Sequence, residues 1–252
     1  MHPEFGSVQE WKRELTLTTE PVTEDVPALE PGDPYCLRVG EAAALLAGHP
    51  WRRFVALGDS VAEGLGDPVP GYSTLPWIDR IAAELTAVQP GFGYRNFGER
   101  DLKAAVVCER QLDAALDFGP DLAMVCAGGY DAVRPSYQSD VVDAALRTMI
   151  TALQGRGADV ITVGIFDVSH CVAVPDRFRP ALGERIHTLS RRTRELAASL
   201  GTIHIDLTEH PAARDPAMYS SDGLHGNLRS HAVCAAETVR RLGEHLGNTF
   251  RG

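Results

Sequence analysis

Two short motifs near opposite ends of the chain carry residue types that can activate a nucleophile. A Gly-Asp-Ser run ends at Ser60, and an Asp-Gly-Leu-His run extends from Asp222 to His225. A serine hydroxyl needs a base to take its proton, and an imidazole base needs a carboxylate to fix its tautomer and stabilise its charged form. The glycine turn lets Asp222 and His225 lie on one side of a loop. The sequence therefore predicts a triad with Ser60 as nucleophile.

Each motif alone also has a simpler explanation. Ser60 can cap the helix that follows a strand, and Asp222 can do the same before the last helix. His225 can be one of nine surface histidines. The two motifs together are far more specific than either one.

The elements that must position these motifs alternate between short apolar runs and longer amphipathic segments from Trp51 onward. The short runs indicate five strands, at residues 54–57, 94–97, 122–126, 160–166 and 202–205. The segments between and after them indicate helices near residues 75–87, 102–116, 141–154, 182–200 and 230–246. This alternation predicts an α/β fold, a three-layer αβα sandwich around a parallel sheet. Its ligand site should lie beyond the carboxyl ends of the strands.

Between the outer motifs lie two further blocks, Tyr94-Arg95-Asn96-Phe97-Gly98 after the second strand and Cys126-Ala127-Gly128-Gly129-Tyr130-Asp131 after the third. With the Gly-Asp-Ser and Asp-x-x-His motifs, they make the chain resemble the SGNH (GDSL) hydrolase family from Phe54 to about Leu242. The resemblance implies a flavodoxin-like, five-stranded sheet of order 2-1-3-4-5. It also implies ester or thioester chemistry through an acyl-serine.

The chain departs from the family pattern where donors to the oxyanion are expected. Tyr130, after Gly129, stands where the family has an asparagine, and Asp101 stands where it has a glycine. Loss of one such donor typically costs about 10²–10³ in rate. The Asp101 N–H and the Tyr130 hydroxyl are candidate replacements, and Arg100 is expected to pair with the Asp101 carboxylate. The Tyr130 ring blocking the hole is the alternative.

Three interpretations remain open. The first is an esterase, thioesterase or acyltransferase that acts on an ester or thioester of a specialised small molecule, such as a secondary metabolite. The second keeps the triad for an elimination, cyclisation or isomerisation with His225 as general base. The third is an inactive binding module, since a fold does not dictate a function. We favour the first, because a module without activity has no physical need for all three triad residues.

Two loops are expected to border the site. The segment after the fourth strand contains His170, a candidate substrate contact, although packing as a lid is the simpler role. The glycine-rich stretch at residues 64–68 lacks the spacing and the lysine of a phosphate loop, so we expect a flexible pocket wall.

Composition narrows the partners. A formal net charge of −10 without long runs of like charge argues against nucleic acid, and a small-molecule substrate fits better. The five scattered cysteines and the absence of an 18-residue apolar stretch or a signal-like start predict a cytoplasmic protein with reduced thiols and no membrane partner. No ligand spacing supports a metal, and we expect no cofactor. Oligomeric state stays open.

The proline-rich residues 1–50 are expected to form an N-terminal arm or cap before a hydrolase-like domain at residues 51–252. Residues 1–7 are interpreted as a remnant of cloning.

Overall fold

Five parallel strands form the centre of the protein, for which a computed structural model describes residues 29–250. The strand order is β2-β1-β3-β4-β5, so the predicted order is confirmed. The strands are β1 (Arg53–Gly58), β2 (Gly93–Asn96), β3 (Leu122–Cys126), β4 (Asp159–Gly164) and β5 (Ile203–Asp206).

Helices cover both faces of the sheet, as the predicted three-layer sandwich requires. They are α1 (Glu41–Leu45), α2 (Ser60–Glu63), α3 (Trp77–Val88), α4 (Ala104–Phe118), α5 (Gly129–Ala132), α6 (Ser139–Gln154), α7 (Arg179–Leu200) and α8 (Leu228–Leu246). Apolar residues of α1, α3 and α8 pack in one core cluster, and those of α4, α6 and α7 pack in the other.

Strand β1 shows why both faces must be apolar. Phe54 and Ala56 belong to the first cluster, while Val55 and Leu57 belong to the second, and none of the four is exposed to solvent. Successive side chains point to opposite faces, so a central parallel strand reads as a continuous apolar run. These continuous apolar runs are the pattern from which the strands were predicted.

The observed bounds differ from the sequence predictions mainly at the ends of elements. The predicted fourth strand, at residues 160–166, begins at Asp159 and ends at Gly164. The four-residue helices α2 and α5 were not predicted. Both follow strand ends directly and are too short for an apolar period to be visible.

The part of the predicted N-terminal arm that the structure describes packs on the core. Helix α1 lies against α8, and Leu45 and Leu46 are buried. The Arg240 guanidinium bonds the Glu41 carboxylate and the carbonyl oxygens of Tyr35 and Cys36. The predicted remnant at residues 1–7 lies outside the described residues, and the division at residue 50 stays a prediction.

All five cysteines are free thiols. None of the helices within residues 29–250 combines the length and the hydrophobicity of a membrane span. The same residues include no group of three or more His, Cys, Asp or Glu side chains arranged to hold a metal ion.

Candidate active site

A sharp turn at the end of β1 places Ser60 at the start of α2. A Cβ added to Gly58 would lie 2.0 Å from the carbonyl oxygen of Cys126, so only glycine fits between β1 and β3. The buried Gln111 side chain holds this glycine, donating to its C=O at 3.0 Å and accepting from its N–H at 2.9 Å. The turn is therefore fixed from two sides.

The structure brings Ser60, His225 and Asp222 into one hydrogen-bonded chain. His225 Nε2 lies 2.8 Å from Ser60 Oγ, and His225 Nδ1 lies 2.6 Å from Asp222 Oδ2. An ionised carboxylate can only accept, so Nδ1 carries the proton and Nε2 accepts from the serine hydroxyl. This is the tautomer that a general base needs.

Asp222 is held in its charged form. Burial alone would raise the pKa of this carboxyl. Its hydrogen bonds to the His225 imidazole and to the backbone N–H groups of His225 and Leu224 outweigh that effect and lower the pKa to about 2. The imidazole therefore faces a carboxylate that stays ionised across neutral and mildly acidic pH.

Two buried aspartates fasten the loops around the serine. Asp59 accepts the N–H groups of Val61 and Tyr130, both at 3.0 Å, and so joins the loops after β1 and β3. Asp131 accepts the N–H of Ala104 at 2.8 Å, at the start of α4. Both aspartates therefore hold neighbouring loops in place.

In the loop after β2, every backbone N–H before Asp101 donates a hydrogen bond. The N–H groups of residues 97–100 donate in turn to Ala56, Asn96, Gly58 and Glu63. Within residues 29–250 the Asp101 N–H has no acceptor. Asp101 also has a left-handed backbone with φ of 65°, the conformation that glycine adopts most easily. The backbone at this position thus keeps a glycine-like shape although the side chain differs.

The Asp101 carboxylate is exposed and, within residues 29–250, accepts no hydrogen bond and forms no salt bridge, although its charge still attracts the neighbouring Arg100. The predicted pairing with Arg100 is wrong, because the Arg100 guanidinium binds Glu63 Oε1 at 2.7 Å and its N–H donates to the same carboxylate. Glu63 follows Ser60 by one helical turn, and its carboxylate lies 2.7 Å from the Arg100 backbone nitrogen. The pair joins the loop after β2 to α2.

Tyr130 directs its polar groups to neighbours. Its hydroxyl accepts from Arg134, whose guanidinium stacks 3.9 Å from the ring centroid. Its N–H is bound by Asp59. The N–H groups of Ser60 and Gly129, which open α2 and α5, have no acceptor in the described part of the chain. The N–H groups of Ser60, Asp101 and Gly129 are therefore not used by acceptors within residues 29–250.

His170 is not brought to the triad. Its Nε2 lies 3.3 Å from Asp167 Oδ2, the oxygen that also binds His187. These residues line a cavity of about 180 Å³ with Glu209, and no triad residue is part of its lining. The expected contact of His170 with the substrate stays a prediction.

Asp67 is a site residue that the sequence reasoning missed. Its carboxylate accepts the N–H of Ser221 at 2.7 Å, and its own N–H donates to Ser220 Oγ at 2.9 Å. The Asp67 carbonyl accepts from Leu228 at 3.0 Å. The stretch at residues 64–68, expected to be a flexible wall, is thus bonded to the loop that carries Asp222. A lone aspartate in a glycine-rich stretch gave no signal of a partner about 150 residues away.

His231 ties α8 to the segment that follows Ser60. Its Nδ1 accepts the Trp77 N–H at 3.1 Å, so its Nε2 carries the proton and donates to the Leu65 carbonyl at 3.2 Å. Trp77 Nε1 in turn donates to the Val61 carbonyl at 2.7 Å. Burial lowers the pKa of His231 to about 4, so the imidazole is neutral. The nucleophile helix is fastened by buried bonds on this side.

Comparisons with known proteins identify the family and the fold. The profile of the GDSL-like lipase/acylhydrolase family matches residues 56–233. Among solved structures, a lipase/acylhydrolase from Enterococcus faecalis is 22% identical, with a TM-score of 0.60 over 77% of this chain and 96% of that one. A catalytic mutant of Axe2, an acetylxylan esterase from Geobacillus stearothermophilus, is 17% identical, with a TM-score of 0.62 over 78% and 95%. No curated protein sequence matches the chain.

Proposed function

The chain belongs to the GDSL-like lipase/acylhydrolase family, and from this premise we propose that it cleaves an ester or thioester of a small molecule through an acyl-serine. Ser60 is the nucleophile, His225 the general base and acid, and Asp222 the residue that orients His225. The observation that carries the proposal is the chain of short hydrogen bonds, 2.8 Å and 2.6 Å, that joins the three side chains.

In the first half of the reaction Ser60 Oγ attacks the acyl carbonyl carbon while His225 Nε2 takes the hydroxyl proton. The resulting imidazolium faces the Asp222 carboxylate, which stabilises its positive charge. Collapse of the tetrahedral intermediate breaks the bond to the leaving alcohol or thiol, and His225 returns the proton to that group. In the second half water, or an acceptor alcohol or amine, attacks the acyl-serine by the same route in reverse.

The negative charge on the carbonyl oxygen needs donors that are already in place. The free N–H groups of Ser60, Asp101 and Gly129 supply them. These residues follow the carboxyl ends of β1, β2 and β3, respectively. The Asp101 carboxylate is exposed to solvent, which weakens its repulsion of the oxyanion. Donors beside a serine whose hydroxyl is bonded to His225 favour acyl transfer over an elimination or isomerisation, which needs a base and an oxyanion hole but no nucleophilic serine.

A fluorophosphonate probe tests the nucleophile directly. We expect the wild-type protein to become labelled and a Ser60→Ala variant to stay unlabelled. Ser199→Ala is the matched control, because this serine on α7 bonds only the Leu196 carbonyl, and it should label like the wild type. An unlabelled wild-type protein that is folded would reject the acyl-serine mechanism and favour base chemistry at His225 or an inactive module.

A further inference from the structure

A small apolar cavity shares a wall with the His225 imidazole. It has a volume of about 70 Å³. Val61, the residue after the nucleophile, and Leu224, the residue before His225, line it together with Ile165 after β4. A group that enters this cavity therefore lies beside the imidazole that contacts Ser60 Oγ at 2.8 Å.

The polar side chains in the wall are already satisfied. His231 uses both ring nitrogens on Trp77 and Leu65, the Trp77 indole donates to Val61, and Ser230 Oγ donates to the Met218 carbonyl. His225 is bonded at both nitrogens as well. A water molecule in such a space would find few partners, whereas an apolar group would lose none. The cavity is suited to hydrocarbon.

The volume limits the length of that hydrocarbon. An apolar cavity of about 150 Å³ accommodates benzene. A cavity of about 70 Å³ has roughly half of that room, enough for a methyl or ethyl group and too little for a longer chain. Buried Trp77 and the α8 residues Ser230 and Cys234 also belong to its wall.

We infer that this cavity is the acyl pocket of the enzyme and that the enzyme is selective for short acyl groups, acetyl above all. The inference rests on the proposed function and adds the class of acyl group to it. The methyl group of the acyl-serine enters between Val61, Leu224 and Ile165, while the carbonyl oxygen turns to the free N–H groups. The leaving group extends away from the cavity and is not selected by it.

A chain-length series tests the inference on the full protein. We expect kcat/KM to fall at least about 10-fold from 4-nitrophenyl acetate to the butyrate, and further to the octanoate, because each methylene group beyond the cavity meets packed protein. Octanoate turned over as fast as acetate would overturn the acyl pocket and leave the acyl-serine mechanism standing. If no ester is turned over and Ser60 takes no fluorophosphonate, the proposed function fails as well. Labelling of Ser60 without turnover of the activated acetate would overturn the pocket alone.

Two variants change the cavity in opposite directions. Cys234→Met adds side-chain volume to its wall and should lower kcat/KM for the acetate at least about 10-fold. Cys108→Met on α4 makes the same exchange away from the cavity and should leave the acetate rate unchanged.

Val168→Ala removes wall volume and should bring the butyrate rate to within about threefold of the acetate rate. If Cys234→Met fails to fold, as judged by circular dichroism, the chain-length profile of Val168→Ala tests whether the cavity limits the acyl group. An unchanged chain-length profile in a folded variant would overturn the inference.

Discussion

The two halves of the site are built from different parts of the chain. The proposed nucleophile half comprises Ser60, Asp222 and His225, whose side chains lie 2.8 Å and 2.6 Å from one another. The proposed oxyanion half comprises the loop at residues 97–101, the start of α5 and the backbone of Ser60, and there the free groups are backbone N–H donors. One half depends on residue type, whereas the other depends on backbone conformation.

This difference explains how the family pattern can change in one half only. The nucleophile half works through side-chain groups that few residue types supply, and the chain keeps all three of them. A backbone N–H is present in every residue except proline, so aspartate can stand at position 101 if it adopts the left-handed conformation, as it does with φ of 65°. Likewise the Tyr130 backbone still binds Asp59 whatever its ring contacts.

The strongest test of the comparison is in the nucleophile half. Asp222→Asn should lower kcat/KM by about 10⁴-fold, because the amide does not hold His225 in the tautomer that accepts at Nε2. Steady-state kinetics on a short-chain ester measure this effect. Asp215→Asn is the control, since that carboxylate pairs with Arg229 outside the triad. A loss below 10-fold for Asp222→Asn would mean that the carboxylate does not orient the base.

The bond between Asp67 and Ser221 should have the next largest effect. Asp67→Ala should lower kcat roughly 10-fold with little change in KM, because the loop that carries Asp222 loses its anchor and the triad geometry loosens. Asp67→Asn should restore most of the rate, since the amide oxygen still accepts the Ser221 N–H. Equal losses in both variants would show that charge, and not the position of the loop, is what Asp67 provides.

Position 101 tests whether backbone shape is sufficient in the oxyanion half. Asp101→Gly should keep kcat/KM within about threefold, because glycine adopts the left-handed conformation freely. Asp101→Val should lower both activity and the free energy of unfolding, the latter by about 1–2 kcal/mol, since a β-branched residue is strained there. Urea denaturation and kinetics on the two variants measure both effects. A 100-fold loss in Asp101→Gly would instead assign the carboxylate a direct role.

The smallest effect is expected for the Tyr130 hydroxyl. It accepts from Arg134, so Tyr130→Phe removes a contact at the edge of the site and should change kcat/KM by less than about threefold, against about 10²–10³ for an oxyanion donor. A loss in that larger range would move the hydroxyl into the oxyanion hole and make both halves depend on side chains.

The elements could be predicted because their signals are local, as the apolar runs of β1 and β3 show. Ser60 and His225 lie 165 residues apart, and they were paired because the Gly-Asp-Ser and Asp-x-x-His motifs together resemble a known family. Asp67 and His231 were not predicted, since their partners are similarly distant in the chain and no motif links them. The pairing of Arg100 was predicted wrongly because a neighbour in sequence was chosen over Glu63, which only the fold brings near.

The neutral imidazole of His231 makes the stability of the protein sensitive to acid. Burial lowers its pKa in the folded state from 6.5 to about 4, so the unfolded chain binds the proton more readily. The stability that depends on the neutral form is complete above about pH 6.5 and is lost as the pH falls towards 4, at most about 3 kcal/mol.

Urea midpoints at pH 7 and pH 5 should therefore differ more in the wild type than in His231→Gln. His204 and His210, whose pKa values burial also lowers, contribute equally to both proteins. Equal pH dependence in the two would assign the acid sensitivity to other groups. Because His231 bonds Leu65 and Trp77, which follow Ser60 in the chain, acid should loosen the nucleophile helix before it unfolds the sheet, and this loosening should become marked as the pH approaches 4.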